Sequence, residues 1–344
     1  MPMRFEDLRF EDFWYVVAQS EQLKTGRVLS RQLLGEWLAL FRNAEGKAIA
    51  LQDRCVHRHS RLSCGQVKQG QLHCPYHGWV YGPGGQVVAV PAEGDRFTPR
   101  KQLQAKAYAT LEQEGFVYVC LGKPMISPFA MPHYGEAGWW RVRVLHRFQN
   151  SVTNCAENFI DIPHTVTVHP KIFRVARQQK IDMTVTRSQG KVMAIYHNET
   201  NNLGWWSRFL NPSGNAIFHS DQFLMPNVTS VEYRFGPQRH LLITSQAIPE
   251  TETTTLVYTE AAFNYGLWSW IAMPFVWWTA KKIIGQDVEI LKIQQEVINR
   301  YGTHFAHTPA DTIHVLVESI RAAIAQGQDP RDLPEKTVQI SFWV

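Results

Sequence analysis

The sequence predicts an α+β protein in two parts: an all-β N-terminal domain, then a domain in which an antiparallel sheet is flanked by helices. Three observations lead there. Short apolar or alternating runs fill about the first 125 residues. A stretch dense in Pro and Gly follows, "GKPMISPFAMPHYGEAG", as expected of a connection between domains. Beyond it, strand-like segments share the chain with two stretches of helical period. At 344 residues the chain has room for two domains of roughly 100 to 200 residues each. The boundary is placed between 125 and 140, giving domains 1–130 and 131–344.

In the first part the strand segments are "FWYVVA", "RVLSRQLLGEWLALFR", "AIALQDRC", "QVVAVP" and "FVYVCLG", separated by Gly, Asn and Pro, so a small sandwich or barrel is expected. The second part opens on a strand-like "WWRVRVLHRFQ" and a helical "VTNCAENFIDIPHT". Further strand-like segments follow: "KIDMTVTRS", "KVMAIYHNET", "SVEYRF", "HLLITSQAIPE" and "TTTLVYTEAAF". "WIAMPFVWWTAKKIIGQDVEILKIQQEVINRYG" then has a helical period.

With 44% hydrophobic and 19% charged residues, the composition is that of a folded soluble protein. The net charge is +5, but the basic residues are scattered, which argues against nucleic acid and leaves room for an acidic protein partner. "MPMRFEDLRFEDFWYVV" lacks the succession of a secretory signal, and no window holds about 18 uninterrupted apolar residues. A cytoplasmic location is the default expectation. Five cysteines without an export signal argue against a disulfide framework, so clustered cysteines are better read as metal ligands.

"CVHRHSRLSCGQVKQGQLHCPYHGW" contains Cys55-x-His57, sixteen intervening residues, and Cys74-x2-His77. Two thiolates and two imidazoles arriving as matched pairs on tight loops can clamp one inorganic centre, either tetrahedral zinc or a 2Fe-2S cluster. Zinc modules tend to put Cys with Cys and His with His, whereas each loop here carries one of each. Pro75, Gly65 and Gly78 supply the turns. The pattern resembles the Rieske motif, C-x-H then C-x2-H followed by Gly-Trp. The resemblance implies that Cys55 and Cys74 hold one iron, and His57 and His77 the outer iron from which electrons leave. His59, His73 and Cys64 lie outside the spacing and read as loop or packing residues.

"NFIDIPHTVTVHP" plants Asp161, His164 and His169 in an apolar segment. On a helix Glu157, Asp161 and His164 share a face, which His169 cannot join, and Pro163 and Pro170 argue that the helix is distorted and ends here. A helix end and a turn can bring both histidines around one point, although alone such a pair is more often hydrogen-bonded core. Following a Rieske motif, the segment resembles the α subunit of Rieske non-haem iron oxygenases, the ring-hydroxylating dioxygenases and their monooxygenase and demethylase relatives. The resemblance implies that His164 and His169 bind a mononuclear iron.

Such an iron takes a third, carboxylate ligand and keeps positions open for O2 and substrate. In "KKIIGQDVEILKIQQEVI", Ile284, Val288 and Leu291 mark the buried stripe and Asp287 points inward, where a lone carboxylate is costly. Glu289 falls on the polar face beside Gln286 and Lys292. Asp287, Leu291 and Gln294 also match the family's D-x3-L-x2-Q helix, so Asp287 is expected as the third ligand. The resemblance gives Asp161 a different role, hydrogen-bonding His77 of an adjacent chain to His164, and with it a head-to-tail homotrimer. Glu157 and Asn158 read equally as support for the iron site or as helix-surface and capping residues.

The implied activity is reductive O2 activation, with NAD(P)H electrons arriving from a separate reductase, with or without a ferredoxin, because the chain has no G-x-G-x-x-G fingerprint of its own. The chain's length is closer to the α-only oxygenases, favouring monooxygenation or demethylation over cis-dihydroxylation. The rival from another class is a Rieske electron carrier, which leaves some 200 residues unexplained. "NNLGWWSRFLN" and "NYGLWSWIAMPFVWWTAKKII" read as core or pocket roof, and more sharply as a site for an aromatic or lipid-like substrate, with Lys281, Lys282 and the aromatics touching a membrane surface.

Overall fold

The computed structural model describes residues 9–124, 126–170, 179–199, 211, 217–236 and 239–344. The chain divides into two compact units, Phe10–Ala130 with Ile248–Thr251, and Met131–Ala247 with Glu252–Val344. The fold class is as expected, an N-terminal β unit and a second unit with one antiparallel sheet and helices.

The first unit holds β1 (Tyr15–Gln19), β2 (Leu29–Leu33), β3 (Glu36–Arg42), β4 (Ala48–Gln52), β5 (Gln66–Lys68), β6 (Gln71–His73), β7 (Val80–Tyr81), β8 (Val87–Ala89), β9 (Ala107–Gln113) and β10 (Phe116–Cys120). Six of them form a sheet in the order β1-β10-β9-β4-β3-β2, and the other four form the small sheet β5-β6-β7-β8. The single run "RVLSRQLLGEWLALFR" becomes two strands, because Leu34 and Gly35 both take positive φ, 51° and 80°, in a two-residue hairpin turn. Leu62, Leu72, Tyr81 and Val87 are fully buried in one cluster with Cys55 and Cys74, so the candidate cysteines stand on the hydrophobic core.

The second unit is built on an eight-stranded antiparallel sheet. Its strands are β11 (Trp140–Phe148), β12 (Lys180–Ser188), β13 (Lys191–Tyr196), β14 (Ile217–Leu224), β15 (Val228–Phe235), β16 (Arg239–Pro249), β17 (Thr255–Asn264) and β18 (Lys336–Trp343), in the order β11-β17-β16-β15-β14-β13-β12-β18. Among the described residues four α-helices accompany it: α1 (Val152–Asn158), α2 (His164–Thr167), α3 (Ser269–Tyr301) and α4 (Thr312–Ala325). The apolar stripe of α3, Ile284 and Leu291 with Val288 beside them, packs on Val144, Phe148 and Val257 of the sheet. Asn150, fully buried, fixes the register. Its Nδ2 donates to Leu291 O at 2.7 Å and Gln294 Oε1 at 2.9 Å, while its Oδ1 accepts from Ser151 N and Asn154 Nδ2, each at 2.7 Å. One side chain thus ties the start of α1 to the middle of α3.

The sequence reading differs here in two places. The helix "VTNCAENFIDIPHT" ends at Asn158, so Asp161 lies in the loop before the one-turn α2 rather than on a continuous helical face. Strands β14 and β18 and helix α4 were not expected. Strand β14 carries His and Asp at inward positions and so breaks the apolar alternation, whereas β18 does alternate, with Val338, Ile340 and Phe342 on its less exposed face, and was passed over. The segment "NNLGWWSRFLN" lies outside the described residues except for Asn211, which is buried.

Candidate cluster site and metal centre

The two Cys-His loops of the first unit repeat one hydrogen-bond pattern. Cys55 N donates to Ser60 O at 2.8 Å and His59 N to Cys55 O at 2.9 Å; Cys74 N donates to Trp79 O at 2.8 Å and Gly78 N to Cys74 O at 3.1 Å. The fifth residue of each loop is left-handed, His59 at φ 55° and Gly78 at φ 73°. His59 is therefore the turn residue of its loop, while the ligand-type histidines stand at the third position of the first loop and the fourth of the second.

Cys55 and Cys74 are buried, with 2% and 4% of their surface exposed. Burial raises the Cys74 thiol above its ordinary pKa and Cys55 beside it acts the same way, whereas the backbone N–H groups of Tyr76 and His77 point at the sulfur and favour a thiolate. The Tyr81 hydroxyl donates to Cys55 Sγ at 3.1 Å and accepts from Val56 N at 3.0 Å. The His57 ring stacks on Trp79 at 4.6 Å and lies 4.6 Å from the exposed His77 ring. Asp53 braces the approach, taking Ser63 N and Ser63 Oγ at 2.6 Å and Arg61 Nε at 2.8 Å.

This donor set fits an iron-sulfur cluster. His57 Nδ1 is buried with no hydrogen bond, the sulfurs already receive N–H and O–H donors, and the two imidazole rings lie side by side. A tetrahedral zinc would need its donors within about 4 Å of one another. Among the described residues only His164, His169 and Asp287 bring three such donor atoms within 4.8 Å.

Those three form the second site. His164 opens α2, His169 follows its end, and Asp287 lies mid-way along α3, 3% exposed. Asp287 Oδ1 lies 3.0 Å from His169 Nε2 and 3.6 Å from His164 Nε2, yet it makes no hydrogen bond of acceptable geometry. Each ring is held at its other nitrogen. Asp161 Oδ2 lies 3.1 Å from His164 Nδ1 and also accepts from His164 N at 3.2 Å, and Gln286 Oε1 lies 3.0 Å from His169 Nδ1. With an acceptor at each Nδ1, the proton belongs there and both Nε2 lone pairs face Asp287. Two Nε2 atoms and a buried, unsatisfied carboxylate oxygen fit a divalent metal of the facial 2-His-1-carboxylate kind.

Gln286 was read from the sequence as a polar-face residue, and the structure corrects this: it is half-buried against His169. Its only signal was adjacency to Asp287. Glu289 is exposed, as expected. Glu157 is pushed up to about 8, first by burial and then by the charge of Glu318, and both its Oε1 and Asn158 Oδ1 are buried without a hydrogen bond.

The three donor atoms open on a cavity of about 200 Å³, far more than the 10 to 15 Å³ of about one water. Helix α3 supplies one wall through Phe275, Val276, Thr279, Ala280 and Ile283, and the sheet supplies the other. Most of the lining is apolar. Thr229, Ser245, Thr259 and Thr279 add hydroxyls, and a buried charged cluster around His219, which sequence reasoning missed, also reaches it. Its Nδ1 lies 2.6 Å from Glu199 Oε2, its Nε2 lies 3.0 Å from Asp221 Oδ1, and its ring is sandwiched between Tyr196 at 4.5 Å and Tyr233 at 4.1 Å. Burial alone would lower this histidine's pKa, but the charges of Asp221 and Glu199 outweigh it and push it up to about 9. The available signal was His219-x-Asp221, two ionisable residues at alternate positions of the strand, both buried.

Known proteins place the same architecture in one class, the Rieske oxygenases. The Rieske [2Fe-2S] domain family matches residues 13–108, and the vanillate O-demethylase oxygenase C-terminal domain family matches residues 149–326, more than half of the chain. The chain is 29% identical over 186 residues to the dicamba O-demethylase oxygenase component of Stenotrophomonas maltophilia, covering 53% of this chain and 54% of that protein. It is 24% identical over 319 residues to the 4beta-methylsterol monooxygenase of Methylococcus capsulatus, covering 84% and 82%. The matches to the first few curated relatives span about half the length of each. The fold is shared with dicamba monooxygenase bound to dicamba, at TM-score 0.78 and 22% identity, over 93% of this chain and 98% of that one. The chain therefore belongs to the Rieske oxygenases with a vanillate O-demethylase type C-terminal domain. Membership brings two cofactors, a Rieske 2Fe-2S cluster and a mononuclear iron.

Proposed function

We propose that this chain is the terminal oxygenase of a multicomponent system that inserts oxygen from O2 into an apolar, aromatic or lipid-like substrate by monooxygenation or demethylation. In this reading residues 1–130 carry the cluster on Cys55, His57, Cys74 and His77, and residues 131–344 carry the iron on His164, His169 and Asp287. The observation that supports it most is the convergence of those three donor atoms on residues that line a mainly apolar cavity. When bound, the cluster supplies single electrons and the ferrous ion binds and activates O2.

The chain's own residues do the rest. Asp161 and Gln286 hold the two ring protons so that both Nε2 atoms face Asp287, and the apolar walls exclude water and seat the substrate's carbon skeleton. Electrons come from NAD(P)H through a separate reductase. They pass from His77 of one chain to Asp161 and His164 of the next in a homotrimer located in the cytoplasm. Asp161 has 21% of its side chain exposed, which leaves it within reach of a neighbouring chain. Asp161→Asn is expected to keep both iron centres while slowing transfer between them by tenfold or more; unchanged single-turnover rates would remove the residue from the path.

Contact with a membrane surface belongs to the same proposal. No helix among the described residues is long and apolar enough to cross a membrane. The outer face of α3 nonetheless exposes Trp270 at 61% and Trp278 at 54%, and Lys281 and Lys282 lie over the Trp277 and Trp278 rings at 4.6 and 5.3 Å. Co-sedimentation with anionic liposomes, lost in Trp270→Ala/Trp278→Ala protein, tests this.

The test of the reaction is a single turnover of dithionite-reduced protein under 18O2 with aryl methyl ethers and methylated sterols. One labelled atom per turnover is expected, in the hydroxymethyl group of the sterol or in the formaldehyde released from the ether, whose phenol keeps its own unlabelled oxygen. Two labelled atoms in a cis-diol would assign a dioxygenase, and no oxygenated product while the cluster still cycles would assign an electron carrier.

A further inference from the structure

We infer that Asp221, braced by His219 and Tyr196, is the anchor for a hydrogen-bond donor, in the first place a hydroxyl group, on an otherwise apolar and uncharged substrate. The inference rests on reading the cavity beside the metal as the substrate site. Strand register builds the floor of that cavity. Tyr196, His219 and Tyr233 are cross-strand neighbours on β13, β14 and β15, and Ala194, Asp221 and Val231 form the next row on the same face. His219 and Asp221, 1% and 3% exposed, therefore turn a charged edge into a wall whose other residues, Val231, Leu241 and Ile243 with the hydroxyls of Thr229, Ser245 and Thr259, are uncharged.

The hydrogen bonding decides which group this edge accepts. Both nitrogens of His219 point at carboxylates, which only accept, so both N–H groups are spent inside the cluster. A substrate carboxylate would meet Asp221 with no N–H of His219 to pair with it. Among the described lining residues there is no Lys or Arg to offset that repulsion. Asp221 itself has capacity left. Its Oδ1 faces His219 and its Oδ2 accepts from the Tyr196 hydroxyl at 2.8 Å, whereas each carboxylate oxygen offers about two acceptor positions. A hydroxyl donor completes this carboxylate; an ether or an acid does not.

The test is anaerobic calorimetric titration of the iron-loaded protein with three probes differing at one substituent: 2-naphthol, 2-methoxynaphthalene and 2-naphthoate. The wild-type protein is expected to bind the naphthol about tenfold or more tightly than the methyl ether, with the naphthoate weakest. Asp221→Asn is expected to cut the naphthol preference to about threefold or less. Tyr196→Phe, which leaves the carboxylate in place, is expected to keep it. Equal affinity for naphthol and ether, tighter binding of naphthoate, no saturable binding of naphthol, or an undiminished preference in Asp221→Asn protein would each overturn the inference. Because binding is read without turnover, and iron content and oxygen incorporation are measured separately, its failure is distinguishable from failure of the oxygenase assignment.

Discussion

Gln286 Oε1 lies 3.0 Å from His169 Nδ1, and the next residue, Asp287, places Oδ1 3.0 Å from Nε2 of the same ring. One turn of α3 therefore both orients the imidazole and supplies the carboxylate facing it. Replacing such an outer hydrogen-bond partner typically weakens metal binding 10- to 100-fold. Gln286→Leu is expected to lose ferrous affinity by about that factor, read by anaerobic chelator competition, with the cluster spectrum unchanged.

Asn150 predicts a stability effect from a residue that is not itself a metal ligand. Its amide satisfies groups on both α1 and α3 from a fully buried position. Asn150→Ala strands those partners and is expected to cost about 1 to 3 kcal/mol in urea unfolding. The same variant should also weaken iron retention, because Asp287 rides on the helix it clamps.

His59 and Gly78 occupy equivalent left-handed positions in the two cluster loops. A left-handed conformation costs a non-glycine residue about 1 to 2 kcal/mol, and glycine's extra freedom in the unfolded chain offsets part of that. His59→Gly is expected to leave the cluster's EPR signal intact and to gain between nothing and about 1 kcal/mol, whereas His59→Val lowers stability. Loss of the cluster in His59→Gly protein would instead make His59 a ligand.

Glu157, raised to about 8 by burial and by Glu318, with Arg321 opposing, holds a proton in the folded chain that it loses in the unfolded one above its ordinary value of 4.5. Its contribution is complete below about pH 4.5 and falls away as pH rises through about 8. Urea midpoints of wild-type and Glu157→Gln protein are therefore expected to diverge in favour of the variant between about pH 5 and about pH 9.

Both candidate sites stood out in the sequence because their residue types recur at short spacings. Cys55-x-His57 and Cys74-x2-His77 are set by two tight loops, and His164 and His169 by a one-turn helix, while Asp287 stood out as a carboxylate on an apolar stripe. What escaped depends on distant pairing. Gln286 is polar on a helix edge until His169 is folded against it, and His219 acquires meaning only when Glu199, Asp221 and two tyrosine rings enclose it. Strand β18 was legible and was passed over: Val338, Ile340 and Phe342 alternate with polar residues, and the strand pairs with β12.

The most direct test of the central claim is iron and sulfide quantitation of anaerobically reconstituted protein, alongside EPR of the reduced cluster and of the ferrous nitrosyl adduct. Three irons and two sulfides per chain are expected for wild type. His164→Ala and Asp287→Ala proteins are expected to hold two irons, keep the cluster signal and lose the nitrosyl signal. Two irons in the wild-type protein, or a nitrosyl signal that survives both substitutions, would contradict the assignment of His164, His169 and Asp287 as the mononuclear iron site.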